Sequence, residues 1–143
     1  MELKEIAPGY FVSPQIAVED VPQIVAAGIT RVICNRPDEE VMADHQAQTI
    51  GAAVQAAGLD FATIPVTTDG MSMDDVAQHA ELIAGASGAV LAYCRSGTRS
   101  TIMWALGQAG TLPTEEILFA AARQGYQLDG LRPTLDAIAL RQG

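Results

Sequence analysis

Seven consecutive residues hold most of the reactive chemistry in this chain: Cys94-Arg95-Ser96-Gly97-Thr98-Arg99-Ser100. Once ionised, the thiol is a nucleophile, and Arg99 carries a planar guanidinium that can give two parallel hydrogen bonds to an oxyanion. The flanks say how such a run would be held. Ala89-Val90-Leu91-Ala92-Tyr93 before it is apolar enough for a buried strand, and Thr101-Ile102-Met103-Trp104-Ala105-Leu106 after it suits a helix. A strand that delivers a thiol into a short Gly-containing loop at a helix start brings loop N–H groups and the helix N-terminus to one point. That point binds an anion and favours a thiolate. A thiol so placed can fall from its free value of about 8.5 to somewhere around 3.5–7.5. The bland alternative is a buried Cys at a strand end with a solvated Arg nearby.

The elements that must present this run recur at the spacing of β–α units. Residues 10–12 follow Pro8-Gly9 and read as a short strand. Residues 18–27 carry Val18, Val21, Ile24 and Val25 at helical spacing, which requires Pro22 in the first turn. Gly28 closes that helix, residues 29–34 read as the next strand, and residues 35–40 as a loop. Residues 43–57 are rich in Ala and Gln and read as a helix ending at Gly58. Residues 60–66 form a strand whose end Pro65 weakens, and residues 67–71 a loop. Ser72 caps a helix running to about residue 86, with Asp74 and Asp75 in its first turn. Residues 89–93 are the most apolar strand, as a central parallel strand should be. Helices over residues 100–109, 114–124 and 134–141 complete the chain. The pattern predicts an α/β fold in which a mostly parallel central sheet is flanked by helices on both faces, within a single domain spanning residues 1–143. Ligands of such sheets bind beyond the carboxyl ends of the strands, where Cys34, the loop at 67–71 and Cys94 all fall.

With 49% hydrophobic but only 5% aromatic residues, the core should be aliphatic and Ala-rich. No apolar run approaches the roughly 18 residues that cross a bilayer, and the N-terminus has no basic region followed by an apolar one. The expectation is a soluble cytoplasmic protein with no membrane partner. A net charge of −9 argues against nucleic acid as a partner. Three of the eight Lys and Arg residues, Arg36, Arg95 and Arg99, sit at or after strand ends, which points to a small anionic substrate. Two cysteines are too few for a disulfide framework or a zinc cluster. Cys34 reads as a packed thiol, with a redox partnership to Cys94 as the alternative. His45 and His79 have no second ligand at helical spacing, so no metal and no cofactor is expected, and both histidines read as surface or boundary residues. Met103 and Trp104 are assigned to the core. The sequence carries no signal of oligomeric state.

The run at 94–100 resembles the anion-binding loop of cysteine-dependent phosphatases, whose signature is His-Cys-x-x-Gly-x-x-Arg followed by Ser or Thr. Over roughly its first hundred and ten residues the chain resembles the bacterial beta-lactamase-hydrolase-like, phosphatase-like domain family. The segments that carry the resemblance are Gly9-Tyr10-Phe11-Val12-Ser13-Pro14-Gln15-Ile16, Val32-Ile33-Cys34-Asn35-Arg36-Pro37-Asp38-Glu39-Glu40, Ile64-Pro65-Val66 and Ala92-Tyr93-Cys94-Arg95-Ser96-Gly97-Thr98-Arg99-Ser100. The resemblance implies the fold of the dual-specificity and tyrosine phosphatases. It implies Cys94 as nucleophile, Arg99 as oxyanion clamp, and the backbone of Arg95, Ser96, Gly97, Thr98 and Arg99 as cradle. Ser100 would stand where phosphatases keep a hydroxyl that stabilises the departing thiolate. The general acid would be an Asp on a loop after an earlier strand, for which Asp69 is the candidate, an ordinary turn being the alternative. Arg36, with Asp38, Glu39 and Glu40, would brace the site wall, and Arg36 could touch substrate. The implied reaction is hydrolysis of a phosphorylated small molecule or phosphoprotein through a phosphocysteine.

The sequence departs from that signature in two further ways. Four residues separate Cys94 from Arg99, one fewer than in phosphatases, and Tyr93 replaces the His before the nucleophile. Cys-Arg-Ser-Gly-x-Arg with this spacing matches the active loop of rhodanese-type sulfurtransferases, in which the Cys carries a persulfide and the substrate is a persulfide or thiosulfate. Relatives of this kind also occur fused to metallo-β-lactamase-like domains associated with persulfide oxidation. A sulfurtransferase or persulfide carrier is therefore the second reading, and a non-catalytic anion-binding module the third.

Overall fold

Side-chain alternation along Ala89–Tyr93 divides the core in two. Val90 and Ala92 pack on one face of the sheet and Leu91 and Tyr93 on the other, all of them buried. A strand apolar on both faces has to be covered twice, and helices on each side do so. The structure is a computed structural model that describes residues 1–142, so the expected single domain over 1–143 ends one residue beyond it. Its strands are β1 (Lys4–Ala7), β2 (Tyr10–Ser13), β3 (Ile29–Cys34), β4 (Asp60–Thr63) and β5 (Ala89–Tyr93), in the spatial order β1-β2-β5-β3-β4. Only β1 runs antiparallel, to β2; the other pairings are parallel. Helices α1 (Val21–Ala26) and α2 (Ala47–Ala56) cover one face. Helices α3 (Met73–Ala84), α4 (Thr98–Gln108), α5 (Thr114–Arg123) and α6 (Arg132–Gln142) build the larger core on the other. The α/β class, the mostly parallel sheet and its two helical layers are as the sequence predicts.

Differences lie at element ends and have local causes. Strand β1 is not signalled by the sequence, because only Ile6 of its four residues is fully buried; the Pro8-Gly9 turn joins it to β2. Residues 18–20 form a separate 3₁₀ turn whose Asp20 carboxylate accepts from the Ala17 N–H at 2.8 Å, so α1 starts only at Val21. Likewise α2 starts at Ala47, where the Asp38 carboxylate accepts the Ala47 N–H at 2.8 Å. Strand β4 stops at Thr63, short of Pro65, although the Ile64 and Val66 N–H groups still reach the carbonyls of Cys34 and Asn35. Helix α4 starts at Thr98 rather than at residue 100, which puts Arg99 and Ser100 in its first turn. Ser72 caps α3 by accepting the Asp75 N–H at 3.0 Å. Met103 and Trp104 are buried as expected, whereas His79, expected near the surface, is fully buried on α3. Among the described residues no helix is long and apolar enough to cross a membrane.

Candidate active site

Cys94 lies one residue past the end of β5, completely buried, and its Sγ accepts the Gly97 N–H at 3.1 Å. Gly97 is the residue before α4 and takes φ +94°, a left-handed conformation that turns the chain into the helix and points its N–H back at the sulfur. A β-carbon there would also fall on the Tyr126 hydroxyl. Tyr126, beyond α5, donates from that hydroxyl to the Ser96 carbonyl at 3.0 Å. Burial, with the Cys94 charge behind it, pushes the phenol up to about 12, so it stays a donor. Further ties hold the loop from within and from β2. The Ser96 hydroxyl donates to Thr98 Oγ1 at 2.9 Å and accepts the Thr98 N–H at 3.3 Å. The Thr101 hydroxyl and N–H both reach the Gly97 carbonyl, at 2.8 and 3.0 Å. The Arg95 carbonyl accepts from the Gln15 N–H at 3.3 Å, and the Cys94 N–H reaches the Ser13 carbonyl at 3.4 Å.

Outside the loop opens a cleft of about 750 Å³ lined by Arg36, Glu40, Thr67, Thr68, Asp69, Arg95 and Arg99. Glu40 is its electrostatic hub. Arg99 grips the carboxylate with both ends of its fork, Nη1 to Oε2 and Nη2 to Oε1, each at 2.8 Å, while Nη1 also donates to the Val66 carbonyl at 2.9 Å. Arg36 donates through Nε to the same Oε1 at 3.1 Å, and through Nη1 to Gln15 Oε1 at 3.2 Å. The Arg99 bonds, followed by those of Arg36, hold the Glu40 carboxyl below the usual carboxylate range, and Glu40 in turn raises Arg99. Asp69 is an exposed part of the cleft lining, in a turn closed by the Gly70 N–H on the Thr67 carbonyl at 3.1 Å. Arg95 is exposed.

Under the loop the polar groups are sealed from water. Ser13, Asn35, His79, Ser100 and Thr101 are all buried. The Ser100 hydroxyl donates to Asn35 Oδ1 at 2.8 Å, and the Tyr10 hydroxyl donates to the Ser100 carbonyl at 2.8 Å. Burial pulls the His79 imidazole down to about 4, so it is neutral at physiological pH. Cys34 faces the other core with Tyr93, donates its thiol to the Arg36 carbonyl at 3.4 Å and is pushed up by burial. Both cysteines are free. No cluster of three or more His, Cys, Asp or Glu among the described residues is placed to hold a metal ion.

Residues 2–111 match the family described as "Beta-lactamase hydrolase-like protein, phosphatase-like domain". The chain belongs to that family. Curated relatives of this phosphatase-like domain include the beta-lactamase hydrolase-like proteins of Agrobacterium fabrum (strain C58), 29% identical over 119 residues, and of Xylella fastidiosa (strain Temecula1), 26% identical over 130 residues. Those matches take in 82% and 90% of this chain but only 28% and 30% of the relatives, so the chain spans less than a third of their length. Among solved structures, a candidate phosphatase of Neisseria meningitidis Z2491 superimposes with a TM-score of 0.86 at 34% identity, covering 96% of this chain and 99% of its own. PTPMT1 (TM-score 0.76, 16% identity, 98% of both chains) and TpbA of P. aeruginosa (TM-score 0.69, 15% identity, 98% and 89%) share the fold. The phosphatase-like domain is thus built on the tyrosine and dual-specificity phosphatase frame, and the chain is a cysteine-type, phosphatase-like protein.

Of the residues expected at the site, Arg36, Asp69, Arg95 and Arg99 line one cleft, and Cys94 to Ser100 form one strand–loop–helix unit. Ser100 is in the first turn of α4, with its hydroxyl turned to Asn35. Sequence reasoning missed Glu40 as the anchor of Arg99, Tyr126 as a loop brace, and the Tyr10–His79–Asn35 group. Only Glu40 left a signal, four residues after Arg36, the spacing of an ion pair.

Proposed function

We propose that this chain is a cysteine-dependent phosphatase acting on a small, polar phosphate ester. Cys94 Sγ attacks phosphorus opposite the ester oxygen; the S–P bond forms, the P–O bond breaks, and Asp69 gives its proton to the leaving alkoxide. Water then attacks the phosphocysteine, Asp69 takes a proton from it, and the P–S bond breaks to release phosphate and the thiolate. Arg99 and the loop N–H groups stabilise the equatorial oxygens. The observation that carries this reading is the Gly97 N–H on the Cys94 sulfur at the start of α4, with Arg99 from the same helical turn lining the cleft. The cleft supports a polar ester, since its seven lining residues are all polar and none offers an aromatic face. TpbA, solved in complex with phosphotyrosine, shares the fold at only 15% identity. Assay of phosphate release from a generic aryl phosphate tests the reading: release should vanish in Cys94→Ser. Absence of any Cys94-dependent release from acid to neutral pH refutes it.

One observation favours a second reading, sulfur transfer. The loop has four residues between Cys94 and Arg99, one fewer than the phosphatase signature, and a shorter loop cradles a smaller group. Thiosulfate would leave its outer sulfur on Cys94 with loss of sulfite, and an acceptor thiolate or cyanide would take that sulfur. A mass gain of one sulfur atom on Cys94 after thiosulfate treatment supports this chemistry. An unmodified Cys94 removes it.

A further inference from the structure

The buried polar groups under the loop are used by neither chemistry, yet their hydrogens can be assigned one by one. Tyr10 has a single hydroxyl hydrogen. Its Oη lies 2.8 Å from the Ser100 carbonyl, which can only accept, and 3.0 Å from His79 Nε2. The hydrogen therefore goes to Ser100, and Nε2 must carry the hydrogen of the second contact. A neutral imidazole has one N–H, so Nδ1 is an acceptor, and the group facing it at 3.5 Å is Asn35 Nδ2. The same Nδ2 donates to the Ile64 carbonyl at 3.1 Å. Both contacts orient the amide with Oδ1 toward Ser100, whose hydroxyl donates to it at 2.8 Å. Two routes, through Tyr10 and through Asn35, thus run from one imidazole to the carbonyl and the hydroxyl of the residue after Arg99.

We propose that His79 is a positioning residue for the loop: by orienting Tyr10 and Asn35 it fixes where Ser100 holds its carbonyl and where its hydroxyl hydrogen points. Three strand-layer segments and two helices meet in this group, which spans β2, the residue after β3, the segment after β4, α3 and α4. Trp104 of α4 stacks on Tyr10 with ring centroids 6.3 Å apart, and the His79 ring meets Tyr10 edge-on at 6.0 Å, so neither ring is free to turn. Protonating His79 would place a hydrogen on Nδ1 against the Asn35 amide hydrogens. Burial opposes that protonation, and the titratable groups around it are Tyr10 and, beyond Tyr10, Cys94. Because Ser100 gives its hydrogen to Asn35, the hydroxyl has none to offer another acceptor while that bond holds. The assignment needs a reactive Cys94 and holds whichever group that thiol carries.

Alkylation of the full chain with iodoacetamide at fixed neutral pH tests this, with mass spectrometry separating Cys94 from Cys34. Tyr10→Phe and His79→Phe should slow Cys94 alkylation about fivefold, the effect of one net hydrogen bond. His79→Gln, whose amide nitrogen can occupy the Nε2 position and keep the donor to Tyr10, should recover much of that loss. Cys34, whose thiol keeps its proton on the Arg36 carbonyl where Cys94 instead accepts an amide, should stay unreactive in all three and so reports general loosening. Unchanged Cys94 rates in Tyr10→Phe, or Cys34 alkylation rising along with every loss, would overturn the positioning role. Absence of phosphate release by the unsubstituted chain, with these alkylation results intact, would count against the phosphatase reading alone.

Discussion

Replacing Glu40 by Gln should tighten phosphate binding while slowing turnover, because one carboxylate both anchors Arg99 and competes for it. Arg99 donates to both Glu40 oxygens at 2.8 Å, and apart from them is held by the Val66 carbonyl at 2.9 Å. An oxyanion on the free edge of that guanidinium would have its charge about 6 Å from the Glu40 carboxylate, a repulsion of about 1–3 kcal/mol between the limits of surface and bulk-water dielectric. The Glu40 side chain is 32% exposed, so the low end applies and phosphate should bind about fivefold tighter to the Gln variant. Against this, Gln offers one acceptor oxygen where the carboxylate offered two. Arg99 loses a charge-assisted bond and part of its fixed direction, and turnover should fall about tenfold.

The same substitution carries a pH signature. Glu40 is held below its ordinary range first by Arg99 and then by Arg36, so its folded-state value lies under its unfolded value of about 4.3. Its contribution to stability is therefore present above about pH 4.3 and lost as pH falls through the lower folded value, an acid-side loss that the Gln variant should lack. Thermal shift with inorganic phosphate in a Cys94→Ser background, steady-state turnover, and melting curves in acid read the three quantities. Weaker phosphate binding combined with unchanged turnover would refute the account, since it would make Glu40 part of the anion site and not a competitor for its clamp.

Two further outcomes follow from the geometry. Asp69→Asn should lower turnover about a hundredfold on esters with poor leaving groups and far less on an activated aryl ester, with phosphate binding unchanged, because a general acid matters most where the leaving oxygen needs a proton. Gly97→Ala should destabilise the fold by about 2 kcal/mol or more in urea titration, since alanine is strained at φ +94° and its β-carbon lands on the Tyr126 hydroxyl.

What could be read from the sequence is what short stretches determine. The apolar run at 89–93, the glycine three residues after Cys94 and the helix-forming stretch that follows specify a strand, a turn and a helix start by local chemistry alone, and Cys94 and Arg99 came with them. Alternation and turn residues likewise carried the α/β order, while β1 stayed hidden because an edge strand with one fully buried residue makes almost no pattern. The groups that hold the loop from outside come from residues 10, 13, 15, 35, 40, 79 and 126, distant from residue 94 in sequence, and no local rule brings them together. His79 shows why: on α3 its polarity argued for the surface, and only the arrival of Tyr10 from β2 and Asn35 from β3 provides partners that make its burial affordable. These outside contacts also bear on the short loop itself. With one residue fewer than the phosphatase signature it resembles, the loop has one amide fewer with which to hold its own shape. Tyr126 on the Ser96 carbonyl, Gln15 on the Arg95 carbonyl and Tyr10 on the Ser100 carbonyl supply three donors from the surrounding scaffold. If they carry the shape the missing residue no longer supplies, then removing Tyr126 and Tyr10 hydroxyls together should cost Cys94 reactivity more than the sum of the single losses, because each alone leaves the loop held at its other end.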